Sequence, residues 1–197
     1  AGEIVACDHT QGFHTGDLVT IIPYENCGVC IACRSGKPNC CERIAVYGVH
    51  KDGGMVEFLS VPERLLVHGA GLTPEQLALV EPLSVSAHGI RRAAVQPGEF
   101  VLVIGAGPIG LAAMEFARIA GAQVIAIDVN DKRLEFAKDR LGIQLVINAA
   151  AGVTEELLRI TGGDMPTVVI DATGNRKAIN HSLDCLDEGG RYVLIGV

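Results

Sequence analysis

The chain has no basic run. Its 16 lysines and arginines are scattered among 23 acidic residues, for a net charge of −7, and an acidic chain of this kind lacks the electrostatic footprint of a nucleic-acid binder. It has no long apolar run either. The longest, Val101–Met114, is broken by Gly105, Gly107, Pro108 and Gly110 and is too short to span a bilayer, so no membrane partner is expected. The opening residues, AGEIVACDHT, show no basic segment leading into an apolar block, so no secretory signal is expected and the cytoplasm is the expected location. There is no internal repeat, no low-complexity segment and no histidine cluster. An initiator methionine is also absent.

What is present divides near residue 95. With 197 residues and 49% of them hydrophobic, the chain has material for one large domain or two small ones. Residues 1–94 are β-rich: Val5, Val19–Ile22, Val46–Val49 and Val56–Val61 read as strands, with turns at Gly16-Asp17 and Asp52-Gly53-Gly54. The stretch Leu72–Ala94 opens with Thr73-Pro74-Glu75, a good helix start, and Pro82 is expected to divide it into two helices. From residue 95 on, strands at Val101–Ile104, Val124–Asp128, Leu145–Ile147, Thr167–Asp171 and Tyr192–Ile195 alternate with helices at Ile109–Ala120, Lys132–Leu141, Thr154–Ile160 and about Lys177–Leu186. That order predicts an α/β fold, a doubly wound parallel sheet covered on both faces. Five strands are one short of a full dinucleotide-binding sheet.

Five of the seven cysteines lie between Cys27 and Cys41. A disulfide framework spreads cysteines along a secreted chain, whereas a tight cluster points to metal binding in a reducing compartment. Cys27, Cys30 and Cys33 follow one another at x2 spacing, and Cys40 or Cys41 closes the set. Four thiolates suit zinc in a tetrahedron, and with every position taken by protein the ion is structural rather than catalytic. Gly28 and Gly36 ease the turns. Free buried thiols or disulfides are the alternative. Cys7 and Cys185 stand alone and read as small core residues.

Gly105-Ala106-Gly107-Pro108-Ile109-Gly110 fits G-x-G-x-x-G, follows the strand VLVI and opens a helix, which is the context a dinucleotide site requires. Gly105 makes the tight turn, Gly107 lets a pyrophosphate approach the backbone, and Gly110 lets helix and strand close up. Pro108 and Ile109 begin the helix, whose N-terminal N–H groups favour an anion. Asp128 ends the next strand, where a carboxylate accepts from the ribose hydroxyls and repels a 2′-phosphate, favouring NAD over NADP; the alternative is a strand-end Asp capping the next helix. Arg133 is placed to cover an adenine face or is simply solvated. Thr173, at the end of the fourth strand, and Ile195, Gly196 and Val197, at the end of the fifth, should border the same crevice.

Taken in order, GEIVA, Gly16-Asp17-Leu18-Val19, the cysteines, Asp52-Gly53-Gly54 before Glu57, Val61-Pro62, Glu81-Pro82-Leu83-Ser84, the glycine motif, Asp128 with Arg133, Asp171-x-Thr173-Gly174 and Gly189-Gly190 resemble the zinc-containing medium-chain alcohol dehydrogenases along the whole chain. The branch is that of sorbitol, threonine and sugar-acid dehydrogenases, and the stretch IPYENCGVCIACRSGKPNCCE looks nearest to the sugar-acid oxidoreductases. The resemblance implies a GroES-like catalytic domain, here partial, over residues 1–94, with a zinc lobe at about 24–44. It implies a Rossmann domain for NAD over 95–197, truncated before its sixth strand. It selects Cys41 as the fourth ligand beside Cys27, Cys30 and Cys33.

The reaction implied is NAD-dependent oxidation of a small-molecule secondary alcohol, polarised by a second, catalytic zinc, in a homodimer or homotetramer. Glu81 is the candidate catalytic residue, contacting that zinc, its water or the substrate; a helix-start Glu is the alternative. The family's catalytic ligands lie in Gly-x-Cys-Gly-Thr/Ser-Asp and Gly-His-Glu motifs that this sequence does not contain. The expectation is therefore a fragment of a longer chain, in which catalytic zinc belongs to the full-length parent. The second reading is a zinc- and dinucleotide-binding module without turnover; a third, a zinc-free quinone-reductase relative, is disfavoured by the cysteines. Asp8 sits where the family usually has Gly. His50 beside the Asp-Gly-Gly turn is a possible substrate contact but reads better as a solvated loop residue, and His88 as a satisfied helix residue.

Overall fold

The computed structural model describes residues 1–7 and 12–196; Asp8 and the candidate Val197 lie outside the described residues. The chain divides into two compact units, Ala1–Glu81 and Pro82–Val197, whereas the sequence changes character near residue 95.

The first unit contains β1 (Gly2–Glu3), β2 (Leu18–Ile21), β3 (Tyr24–Glu25), a one-turn helix α1 (Ile31–Arg34), β4 (Ala45–Val46) and β5 (Leu66–His68). β1, β2 and β5 form an antiparallel sheet in that order, and β3 pairs with β4. Helix α2 (Pro74–Ala93) starts in this unit. Thr73 and Gln76 cap it reciprocally: the Gln76 N–H donates to Thr73 Oγ1 (3.3 Å) and the Thr73 N–H to Gln76 Oε1 (2.9 Å), a capping box with Pro74 at the first helical position.

Four local expectations are corrected. Val5 and Val56–Val61 are not strands: neither segment pairs with a strand among the described residues. Val5, Val56 and Phe58 are instead exposed. The strand read at Val46–Val49 stops at Val46, whose carbonyl accepts the N–H groups of Val49 (3.1 Å) and His50 (2.9 Å) in a turn. Pro82 does not divide the helix, which runs through it. A proline removes only one intrahelical donor, and a 20-residue helix retains the rest.

The second unit holds β6 (Phe100–Ile104), α3 (Pro108–Ile119), β7 (Gln123–Asp128), α4 (Asp131–Leu141), β8 (Leu145–Asn148), α5 (Val153–Thr161), β9 (Val168–Asp171), α6 (Arg176–Ser182) and β10 (Arg191–Leu194). The five strands are parallel in the order β10-β9-β6-β7-β8. This is the doubly wound order without its sixth strand, and β6 and β9 meet at its switch point. The strands are apolar on both faces because both are covered. Val101, Val103, Val124, Ala126, Val168 and Ile170 pack with Met114 and Ala117 of α3 on one face. Leu102, Ile104, Ile125, Ile127 and Val169 pack with Leu157 of α5 on the other. The helix expected to reach Leu186 ends at Ser182 and tightens into a 3₁₀ turn, Leu183–Cys185. No helix among the described residues is long and apolar enough to cross a membrane.

Candidate functional site

In the first unit, the Sγ atoms of Cys27, Cys30, Cys33 and Cys41 all lie within 4.8 Å of one another. Four sulfurs each about 2.3 Å from one zinc stand about 3.8 Å apart in a tetrahedron. The Cys27–Cys33 and Cys30–Cys33 separations are 4.0 and 3.4 Å, so the group fits that ion. Cys40 is exposed and outside the group, where its sulfur meets the Asn39 side chain. Backbone N–H groups of Val29 and Cys30 point at Cys27 and hold its thiol down at about 6. The Cys27 N–H acts the same way on Cys41, but burial and the neighbouring Cys27 and Cys33 sulfurs outweigh it and push that thiol up to about 11. Four crowded thiols shed their last proton when a cation takes its place.

Glu81 closes the same unit. Its Oε1 accepts the Tyr24 hydroxyl at 2.8 Å, across 57 residues of sequence. Burial, and then Glu81, raise the Tyr24 pKa, so the hydroxyl remains a donor through neutral pH. The sequence reading missed Tyr24, and nothing in the sequence pairs it with Glu81. Among the described residues no second group of three or more metal-ligating side chains stands together, so no catalytic zinc site is assembled among them. His50 is exposed, and its Nδ1 accepts the Val46 N–H at 3.1 Å, a loop-closing role.

In the second unit, a groove of about 720 Å³ runs along the carboxyl ends of the strands, within the range of cofactor sites. It brings together Gly105, Gly107, Asp128, Arg133 and Thr173 of the expected residues, and adds Val129, Thr154, Lys177 and His181, which the sequence reading left out. Gly105 has φ +96°, and its N–H donates to the Ile127 carbonyl (2.7 Å). Gly107 caps α3, and a Cβ there would meet nothing within 4 Å, so its backbone stands open to a ligand. Gly110 is the reverse: a Cβ would fall 1.7 Å from the Gly105 carbonyl oxygen. Pro108 and Ile109 form the first turn of α3, and the buried Ser86 hydroxyl donates to the Ile109 carbonyl at 2.8 Å. Ile195 and Gly196 do not line the groove; their N–H groups donate to the Asp171 carbonyl (2.9 and 3.0 Å).

Asp128 is buried, and its carboxylate accepts the N–H groups of Ala106 (2.6 Å) and Asn130 (2.8 Å). It thereby holds the glycine turn. The carboxylate's remaining lone pairs suit two ribose hydroxyls. Helix α4 is capped by Asn130, not Asp128: the Asn130 side chain accepts the Lys132 N–H at 3.0 Å. Arg133, half exposed, brings Nη1 to 3.7 Å from Asp128 Oδ2. Behind the groove, burial pushes the Tyr192 hydroxyl up to about 12, with Asp171 adding to it. An unfolded tyrosine ionises near 10, so the folded state keeps this proton longer and stability should fall between about pH 10 and 12. Urea midpoints measured at pH 9 and 11.5 should differ less in Tyr192→Phe than in the parent chain.

The fold and these sites define a class: a dinucleotide-binding α/β unit following a β-rich unit with a four-cysteine metal lobe. Family models agree, with an alcohol dehydrogenase GroES-like domain matching residues 1–71 and a zinc-binding dehydrogenase domain matching residues 108–197. The chain belongs to the zinc-containing alcohol dehydrogenase family. It is 44% identical to L-galactonate-5-dehydrogenase of Escherichia coli K12 over all 197 residues, which is 58% of that protein. An alcohol dehydrogenase from E. coli CFT073 complexed with NADH superposes with a TM-score of 0.83 at 31% identity, over 93% of this chain and 56% of that one. A zinc-binding dehydrogenase of Sinorhizobium meliloti 1021 bound to NADP does so at 0.87 and 29%, over 95% and 56%. The chain thus spans little more than half the length of these relatives.

Proposed function

We propose that this chain supplies the zinc lobe and coenzyme site of an NAD-dependent, zinc-dependent dehydrogenase. The full-length protein would oxidise a secondary alcohol in a polyol, sugar acid or hydroxy-amino acid. The observation that carries the reading is the groove at the glycine turn with Asp128 at its edge. In this reading Asp128 holds the adenosine ribose and Arg133 lies over the adenine. Gly107 and the first turn of α3 take the pyrophosphate and Thr173 borders the remainder, with Ile195 and Gly196 fastened behind it on the Asp171 carbonyl. NAD, when bound, accepts the hydride. Cys27, Cys30, Cys33 and Cys41 hold a structural zinc that takes no part in turnover. A catalytic zinc would draw on residues outside this chain, and Glu81 is the carboxylate this chain contributes near it, held by Tyr24.

The similarity to L-galactonate-5-dehydrogenase favours a sugar acid among the substrate classes and the dehydrogenase over a binding module without turnover. A cytoplasmic homodimer or homotetramer completes the reading. In domain terms, residues 1–94 belong to the catalytic domain and 95–197 to the coenzyme domain. The test is NADH formation by the full-length protein on a panel of sugar acids, polyols and threonine. Chelator-sensitive activity on at least one class is expected; no activity with NAD on the whole panel would contradict the reading.

NAD rather than NADP follows from the Asp128 charge, although one relative carries NADP. Asp128→Ala should weaken NADH binding on the order of tenfold, about 1.4 kcal/mol. It should also bring NADPH close to parity, as read by coenzyme fluorescence titration.

A further inference from the structure

Asp171 ends β9, wholly buried. A buried carboxylate is costly unless its oxygens are paired. Here every donor to its side chain is neutral. Oδ1 accepts both the N–H (2.8 Å) and the hydroxyl (2.7 Å) of Thr173. Oδ2 accepts the Tyr192 hydroxyl of β10 (3.1 Å), which stands 2.7 Å from Ser182 Oγ on α6. The carbonyl of the same residue accepts the N–H groups of Ile195 and Gly196. The two strand ends touch, since a Cβ on Gly196 would lie 2.4 Å from the Gly174 nitrogen and 2.7 Å from the Thr173 nitrogen.

We propose that Asp171 is a positioning residue of the dinucleotide site. Its carboxylate sets Thr173, which lines the groove, and its carbonyl ties Ile195 and Gly196 behind it, so that the end of β9 meets the coenzyme as a preformed piece backed by β10. This rests on the reading of the groove as an NAD site.

Counting hydroxyl hydrogens identifies the informative variants. Asp171 Oδ2 takes the Tyr192 hydrogen, so Ser182 gives its own to Tyr192 rather than to the Ile179 carbonyl, 2.9 Å away. An amide at position 171 reverses the chain: it donates to Tyr192, Tyr192 to Ser182, and Ser182 to Ile179, while its oxygen still accepts from Thr173. Asp171→Asn therefore keeps the geometry, and Asp171→Ala loses it.

The experiment is NADH titration of the zinc-loaded protein by coenzyme fluorescence, reading Kd and the number of sites separately. Asp171→Ala should raise Kd about tenfold or more with the site count unchanged, and Asp171→Asn should remain within about threefold of the parent. Tyr192→Phe, which removes the donor to Oδ2 and the link toward α6 but leaves Thr173 on Oδ1, should also remain within about threefold. A parental Kd with fewer sites in Asp171→Ala marks a purely structural role and overturns the proposal. So does an Asp171→Asn as weak as Asp171→Ala. If Asp171→Ala does not fold, amide hydrogen exchange of the parent protein decides. Slow exchange at Thr173, Ile195 and Gly196 before NADH is added supports the preformed piece, and protection that arises only with NADH overturns it. Failure of the parent protein to bind NADH at all would instead remove the functional reading beneath it.

Discussion

Replacing Cys30 by serine is expected to empty the metal lobe and unfold it. Zinc content should fall from one per chain to near zero, while Cys40→Ser keeps its zinc. The lobe has little else to hold it. α1 is four residues long and the adjoining 3₁₀ turn three, and neither buries a residue. The buried residues of the lobe are Cys30 and Cys41 themselves. In small metal-held modules the binding free energy is the folding free energy, about 10–16 kcal/mol for zinc-finger peptides, so losing one soft ligand costs much of the lobe's stability. Metal analysis together with limited proteolysis between residues 24 and 44 reads both effects. Zinc retained in Cys30→Ser, or lost in Cys40→Ser, would mean that the ligand set is wrong.

Gly110→Ala should be the most damaging single methyl in the second unit. Its Cβ would overlap the Gly105 carbonyl at 1.7 Å, and neither side is free to yield. Gly105 is bonded to Ile127, and the first turn of α3 is held through Ile109 by Ser86. Moving the helix off the sheet should cost about 3 kcal/mol or more and abolish NADH binding. Gly107→Ala provides the contrast. Its methyl would enter open space, so thermal stability should change little while NADH affinity falls at least about tenfold. Melting temperature and coenzyme titration on the two variants separate the helix-packing glycine from the ligand-facing one; equal melting temperatures would contradict the assignment.

What was legible in the sequence was local. Strands β6 to β10 are apolar runs separated by helices of regular length, and the glycine turn follows from six consecutive residues. The lobe follows from close cysteine spacing, although choosing Cys41 over Cys40 took the family likeness, and the geometry agrees with it. What escaped was long-range. Val56–Val61 is a short apolar run bounded by a turn, but composition does not supply a neighbour to pair with. Pro82 marks a weakened position, and whether a helix continues through it depends on the packing around it. Tyr24 is joined to Glu81 across 57 residues, and Asp171 to Tyr192 across 21. Neither pair shares a motif. Asp128 was read for its ligand, whereas the fold also uses it to fasten Ala106 and Asn130.

The most direct test is a fluorescence titration of the zinc-loaded chain with NADH and NADPH in parallel. One saturable NADH site per chain is expected, with NADPH weaker by about tenfold or more and the difference erased in Asp128→Ala. Absence of a saturable NADH site, or tighter binding of NADPH than of NADH, would contradict the assignment of the groove.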